Sequence, residues 1–166
     1  TPANALSLVD EYDVVVDGAD NFETKFLLND AAYFAGKPYV FGGAVGFDGQ
    51  ASLFFPKAGG PCLRCMIPEI PPPGTVPPCD EVGVLNVVPG QIGLIQAGEI
   101  LKFILGIGKS LLGRFLVYNF LEGDFRAITV PRNPRCPLCG ENPSITDLSG
   151  SYMGAAECIT PPSPDE

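Results

Sequence analysis

The sequence predicts an α/β fold built on a mixed, largely parallel sheet flanked by helices, and three observations carry that expectation. A β-branched run, YDVVVD at 12–17, reads as a strand buried on both faces. A segment of helical periodicity follows it after a short polar loop. Two strand pairs with one long apolar helix between them then complete the order of a single mixed sheet.

Taken in order, the first strand leads into GADNFETKFLLNDAAYFAGKP. Phe22, Phe26, Asn29 or Asp30, and Tyr33 recur there at helical spacing. Asp20 followed by Glu23 resembles a capping box, and Gly36 then Pro38 stop the helix. PYVFGGAV and QASLFF, joined by GFDGQ, are two strands with a glycine-containing turn. A proline-crowded segment from about Pro61 to Asp80 interrupts regular structure. PGQIGLIQAGEILKFILG then opens with proline and sets Ile92, Ile95, Gln96, Glu99 and Ile100 in helical register, with Gly93 and Gly98 allowing close packing. RFLVYNFL and DFRAITV, separated by EGD, read as a hairpin. Residues 1–148 form one domain in this reading, and 149–166 form a flexible tail.

The bulk numbers narrow the class. The chain has 166 residues, 46% hydrophobic and 17% charged, enough to bury a core. A net charge of −9 without a Lys/Arg run argues against nucleic acid or an anionic membrane as partner. No apolar stretch has the length of a membrane helix, and TPANALSLVDEYD lacks the basic and apolar regions of a secretory signal, so a cytoplasmic location is expected. There is no histidine. Any metal site must use thiolates or carboxylates, and no imidazole can act as a base.

Four of the six cysteines fall in two C-x-x-C pairs, Cys62 with Cys65 and Cys136 with Cys139. That spacing puts two thiolates on one side of a tight turn, and the glycine after the second pair lets backbone N–H groups point at sulfur. Two pairs make a tetrahedral zinc complement. Two disulfides or a thioredoxin-like redox pair are the alternatives, although neither pair opens a helix after a strand. Cys79 stands alone beyond six prolines in residues 68–78. It reads either as an exposed nucleophile or as an incidental surface thiol; Asp80 and Glu81 beside it would raise its pKa. Cys158 reads as incidental. Asp20 lies just past a strand, at the edge where α/β sheets bind nucleotides, and can either hold Mg²⁺ on a polyphosphate or simply cap the helix. No G-x-G-x-x-G or Walker loop occurs, and GGAVG at 42–46 leads from one strand into another.

The stretches YDVVVDGADNFETKFLLND, GKPYVFGGAVGFDGQASLF, CLRC, CDEVGVLNVVPGQIGLIQAGEILK and CPLCGENPSI together resemble the ThiF/MoeB/HesA family, bacterial-type relatives of ubiquitin-activating enzymes. The resemblance implies a Rossmann-like sheet and an adenylyltransferase. Such enzymes bind ATP·Mg and adenylate the C-terminal carboxylate of a ubiquitin-like sulfur carrier ending in Gly-Gly, usually as homodimers. It assigns Asp20 to catalysis and Asn21 beside it to the nucleotide. It assigns Cys62, Cys65, Cys136 and Cys139 to structural zinc, and Cys79, on a crossover loop at about 66–80, to a covalent intermediate that some members form. Lys25 stands where the family commonly has arginine, which keeps the charge and loses the two-point fork. The family's N-terminal nucleotide-binding unit has no counterpart here, so the chain reads as the C-terminal two-thirds of such an enzyme, inactive alone. A non-catalytic zinc-stabilised module that docks a ubiquitin-like protein or a second copy is the alternative.

Overall fold

In a computed structural model, residues 1–72, 75, 82–150 and 152 are described. Helix α1 (Pro2–Asp10) leads to strand β1 (Val15–Val16), helix α2 (Phe22–Ala35) and strands β2 (Tyr39–Val45) and β3 (Asp48–Phe54). A short helix α3 (Leu63–Met66) and the long helix α4 (Val87–Leu105) precede strands β4 (Arg114–Asn119) and β5 (Asp124–Thr129). The five strands lie in chain order.

The sheet is mixed, as the pattern predicts, but its parallel share is smaller than expected. Among the strands of the described residues β1 and β2 run parallel, and β2–β3, β3–β4 and β4–β5 are antiparallel. A two-residue link at Gly46 and Phe47 can only reverse the chain, and Gly46 takes the positive φ this turn needs. The long excursion from β3 to β4 leaves and re-enters at the same end of the sheet, so it too closes an antiparallel pair. β1 is shorter than the valine run suggests and is not buried on both faces. Val15 is buried on the α2 face, while Val16 on the opposite face is exposed.

Strand alternation divides the core in two. Tyr39, Phe41 and Phe54 pack with Phe26, Ala31 and Ala32 of α2, whereas Val40, Ala51 and Leu53 pack with Val88 and Ile92 of α4. The close approach of α4 comes from strand glycines. A Cβ on Gly49 would lie 2.7 Å from Ile92, while Gly93 and Gly98 have open space around them, contrary to their expected packing role. Helix α1 has no counterpart in the sequence reading. Pro2 in its first turn, and Ala5 and Val9 buried four apart, are the signals that mark it.

The caps of α2 also differ in one particular. Gly36 closes the helix in the left-handed conformation, as expected, but the N-cap is Asn21, whose Oδ1 accepts from Thr24 N at 2.8 Å. Asp20 and Glu23 form no capping box, because the chain is still extended at Asn21 and enters the helix one residue later. Asp20 is therefore relieved of the capping role.

Candidate active site and metal centre

The two C-x-x-C pairs meet although about seventy residues separate them in sequence. The four ligand sulfurs lie within 4.8 Å of one another, with Sγ–Sγ distances of 3.9 Å for Cys62–Cys65, 3.5 Å for Cys62–Cys136 and 3.4 Å for Cys65–Cys139. A tetrahedral ion with metal–sulfur bonds of about 2.3 Å sets its sulfurs about 3.8 Å apart, so these residues fit a thiolate-bound metal. All four are free thiols, which removes the disulfide alternative. Cys62, Cys136 and Cys139 are buried and Cys65 is half-buried.

Two backbone N–H groups point at sulfur, Asn133 N to Cys65 at 3.4 Å and Cys139 N to Cys136 at 3.5 Å. Such donors stabilise thiolate charge. Hydrogen bonding among the four sulfurs holds Cys136 and Cys65 below the ordinary thiol range and pushes Cys62 and Cys139 above it. Gly140 contributes differently from the expectation, since its N–H donates to Cys136 O and not to sulfur. What the loop needs there is the missing side chain: a Cβ would lie 2.5 Å from Cys136 O and 2.6 Å from Pro134 O.

A buried clasp anchors this centre to α2. Arg64, between the first two cysteines, donates from Nε and NH2 to both oxygens of Asp30 at 2.8–3.0 Å. Tyr152 donates to Asp30 Oδ2 at 2.8 Å, so a residue of the segment read as tail lies in the core. Asn29 Oδ1 accepts from Leu63 N, and Arg64 lies over the Phe26 ring. Asp30→Ala would leave the guanidinium buried without its partner, and a loss of about 3–5 kcal/mol is expected in denaturant unfolding.

The second site is a cavity of about 290 Å³ where the chain leaves β1. Its walls are the 17–20 loop on one side and Gly42, Gly43 and Ala44 on the other, with Asn86 and Gln96 contributed by the α4 segment. Asp20 lies on this rim, exposed, its Oδ1 accepting from Asn21 Nδ2 at 3.1 Å. A carboxylate at the C-terminal edge of a parallel strand pair is placed to meet a cation or a cation-bearing ligand.

Under the rim is a network of which the sequence reading picked out Lys25 but not its partners. Asp17 is buried, with Oδ1 accepting from Ala19 N at 2.9 Å and Oδ2 accepting from Lys25 Nζ and Tyr39 OH, each at 2.9 Å. Burial and the Asp17 charge hold the Tyr39 phenol well above its ordinary range. Lys25 also donates to Gly42 O and lies 4.9 Å from the Phe41 ring centre. Asp17 at the end of a valine run and Gln96 on the apolar face of a helix were the available signals. Cys79 and Cys158 lie outside the described residues.

Comparison with known proteins gives a consistent set. The ThiF family matches residues 1–138. The chain is 51% identical over 152 residues to the sulfur carrier protein adenylyltransferase of Thermus thermophilus, a match covering 89% of this chain and 56% of that protein. It is 48% identical over 159 residues to the adenylyltransferase and sulfurtransferase MOCS3 of Bos taurus, covering 94% and 35%. With the SAMP-activating enzyme E1 of Haloferax volcanii it shares 47% over 148 residues, covering 88% and 54%. The chain thus spans about half, or less, of the length of these relatives. Among solved structures, E. coli MccB superposes with a TM-score of 0.64 at 17% identity, over 82% of this chain and 42% of that one, a likeness of fold.

Proposed function

Because this chain belongs to the ThiF family, we propose that the complete protein adenylates the C-terminal glycine carboxylate of a ubiquitin-like sulfur carrier, for sulfur transfer in cofactor biosynthesis or tRNA thiolation. The observation that carries this reading is Asp20: its carboxylate stands on the rim of a glycine-walled cavity with no capping duty. Relatives named as sulfur carrier protein and SAMP-activating enzymes support the choice of a carrier with a Gly-Gly end.

In this reading Asp20 and Asn21 hold Mg²⁺-ATP, and the carrier carboxylate attacks the α-phosphate, releasing pyrophosphate and leaving an acyl-adenylate. Charge neutralisation of the phosphates by the metal is what makes that displacement feasible. The four cysteines hold zinc as a structural ion; four thiolates without an open position leave no place for a substrate. Residues 1–148, with Tyr152 packed into their core, constitute the C-terminal part of the adenylation domain. Carrier-dependent ATP–pyrophosphate exchange by the complete protein is the test, and its absence with every carrier would argue for a non-catalytic binding module.

Cys79 is proposed as a covalent relay for the activated carrier. Cys79→Ser should abolish a carrier thioester trapped before reduction, and unchanged sulfur transfer would make the thiol incidental. The Gly-rich loop and phosphate-binding cations of the family have no match within 1–166, so this stretch alone is expected to bind ATP weakly; tight Mg-dependent affinity in a titration would contradict that.

We also propose a homodimer. Val87, Leu94, Leu101 and Leu105 of α4 recur at seven- and four-residue spacing and are exposed, an apolar row that favours burial against another protein surface. A reduced four-thiolate site supports a cytoplasmic location. No helix among the described residues is long and apolar enough to cross a membrane.

A further inference from the structure

We infer that Lys25 and Gln96 are positioning residues that set the gap between the 17–20 loop and the Gly42–Ala44 wall of the candidate site. The inference rests on the adenylation reading for its kinetic consequence and on geometry for its structural one.

The two side chains reach the same seam from opposite faces of the sheet. Lys25 comes from α2, on the Phe26–Phe41 side, and bridges Asp17 Oδ2 to Gly42 O. Gln96 comes from α4, on the Val40–Ile92 side, and its Nε2 donates to Asp17 O at 2.8 Å and Val40 O at 3.1 Å. Each therefore ties the exit of β1 to β2 through polar contacts of fixed length.

Both are 7% exposed, and apolar side chains of similar volume would hold a sheet together there at no desolvation cost. A buried ammonium and a buried amide aimed at the same two strands instead specify a distance. The surroundings are fitted to them: a Cβ on Gly42 would lie 2.5 Å from Gln96 Nε2. The Asp17 carboxylate passes the constraint onward, because its other oxygen accepts from Ala19 N, one residue before Asp20. Lys25 thus acts on the reacting groups through the loop that presents Asp20 and the Gly42 wall, and Gln96 holds the same seam while also lining the cavity.

The test uses the complete protein and two readouts. Amide hydrogen exchange in Lys25→Met should quicken in the 17–20 loop while the later turns of α2 keep their protection. In carrier-dependent ATP–pyrophosphate exchange, kcat should fall at least about tenfold with KM for ATP changed less than about threefold, and Lys25→Arg should recover most of it. Gln96→Met, which leaves no charge unpaired, should repeat the loop effect if Lys25→Met does not fold. Loop exchange unchanged in both variants, loosening spread evenly through α2 and β2, or Lys25→Arg as impaired as Lys25→Met would overturn the inference. If the parent protein shows no pyrophosphate exchange with any carrier, the adenylation reading fails, while loop protection still decides the positioning role.

Discussion

Asp20→Asn in the complete protein is expected to lower carrier-dependent ATP–pyrophosphate exchange by about 100-fold or more, the scale seen when one preorganised charge-stabilising group is lost. Stability should barely move. Asn21, not Asp20, caps α2, and the Asp20 side chain is exposed with a single neighbouring partner. The contrast with the adjacent residue makes the experiment sharp. Asn21→Ala removes the acceptor for Thr24 N and should cost about 1 kcal/mol in thermal unfolding. A variant series in which Asp20→Asn weakens the fold and spares exchange would return Asp20 to a purely structural role.

Stripping zinc from the proposed four-thiolate site should have the largest effect on the fold. The Cys62 and Cys136 segments meet through the thiolate cluster, the packing of Leu138 beside it and the Asn133 N–H to Cys65 sulfur, while the Asp30–Arg64 clasp ties only the first of them to α2. Chelation of zinc, or Cys62→Ser, is expected to release the C-terminal loop and expose it to proteolysis, with a fall in melting temperature of many degrees. Structural zinc sites contribute about 10–16 kcal/mol of apparent binding energy in small fingers, and less is expected here because two apolar clusters remain. Protons compete with the ion for thiolate, so zinc retention should decline as pH falls; measured metal content after dialysis across pH reads this directly. Unchanged proteolysis and melting after complete metal removal would show that the apolar packing around Leu138 holds the loop without the ion.

The two experiments separate regions that the chain places close together in sequence. Asp17, Lys25, Asn29 and Asp30 all fall within residues 17–30, yet Lys25 faces the cavity seam and Asn29 and Asp30 face the cysteine centre. Helix α2 thus joins the candidate active site to the metal centre through successive turns. Loss of the ion is expected to reach Asp20 through that helix.

Much of this was legible beforehand because it depends on local chemistry. Strand runs, the Gly36 stop, the hairpin turns and the C-x-x-C spacing each follow from residues a few positions apart, where backbone preference and side-chain reach decide the outcome. Which residue caps α2 was not legible. Asp20 and Asn21 are both competent acceptors, and the choice depends on where the extended chain leaving β1 first turns.

Sequence alone was sufficient for the inventory: an acidic α/β chain without imidazole, four thiols in two metal-competent pairs, and a carboxylate after a strand. Folding decided which of these meet. The sheet proved mostly antiparallel because its links reverse the chain, and the close-packing glycines proved to be those of β2 and β3 because α4 presses on the strands. Asp17, Lys25 and Gln96 acquire their roles only there. A buried charge or amide is defined by the partners it finds, and those partners come from three elements brought within hydrogen-bond distance by the tertiary fold.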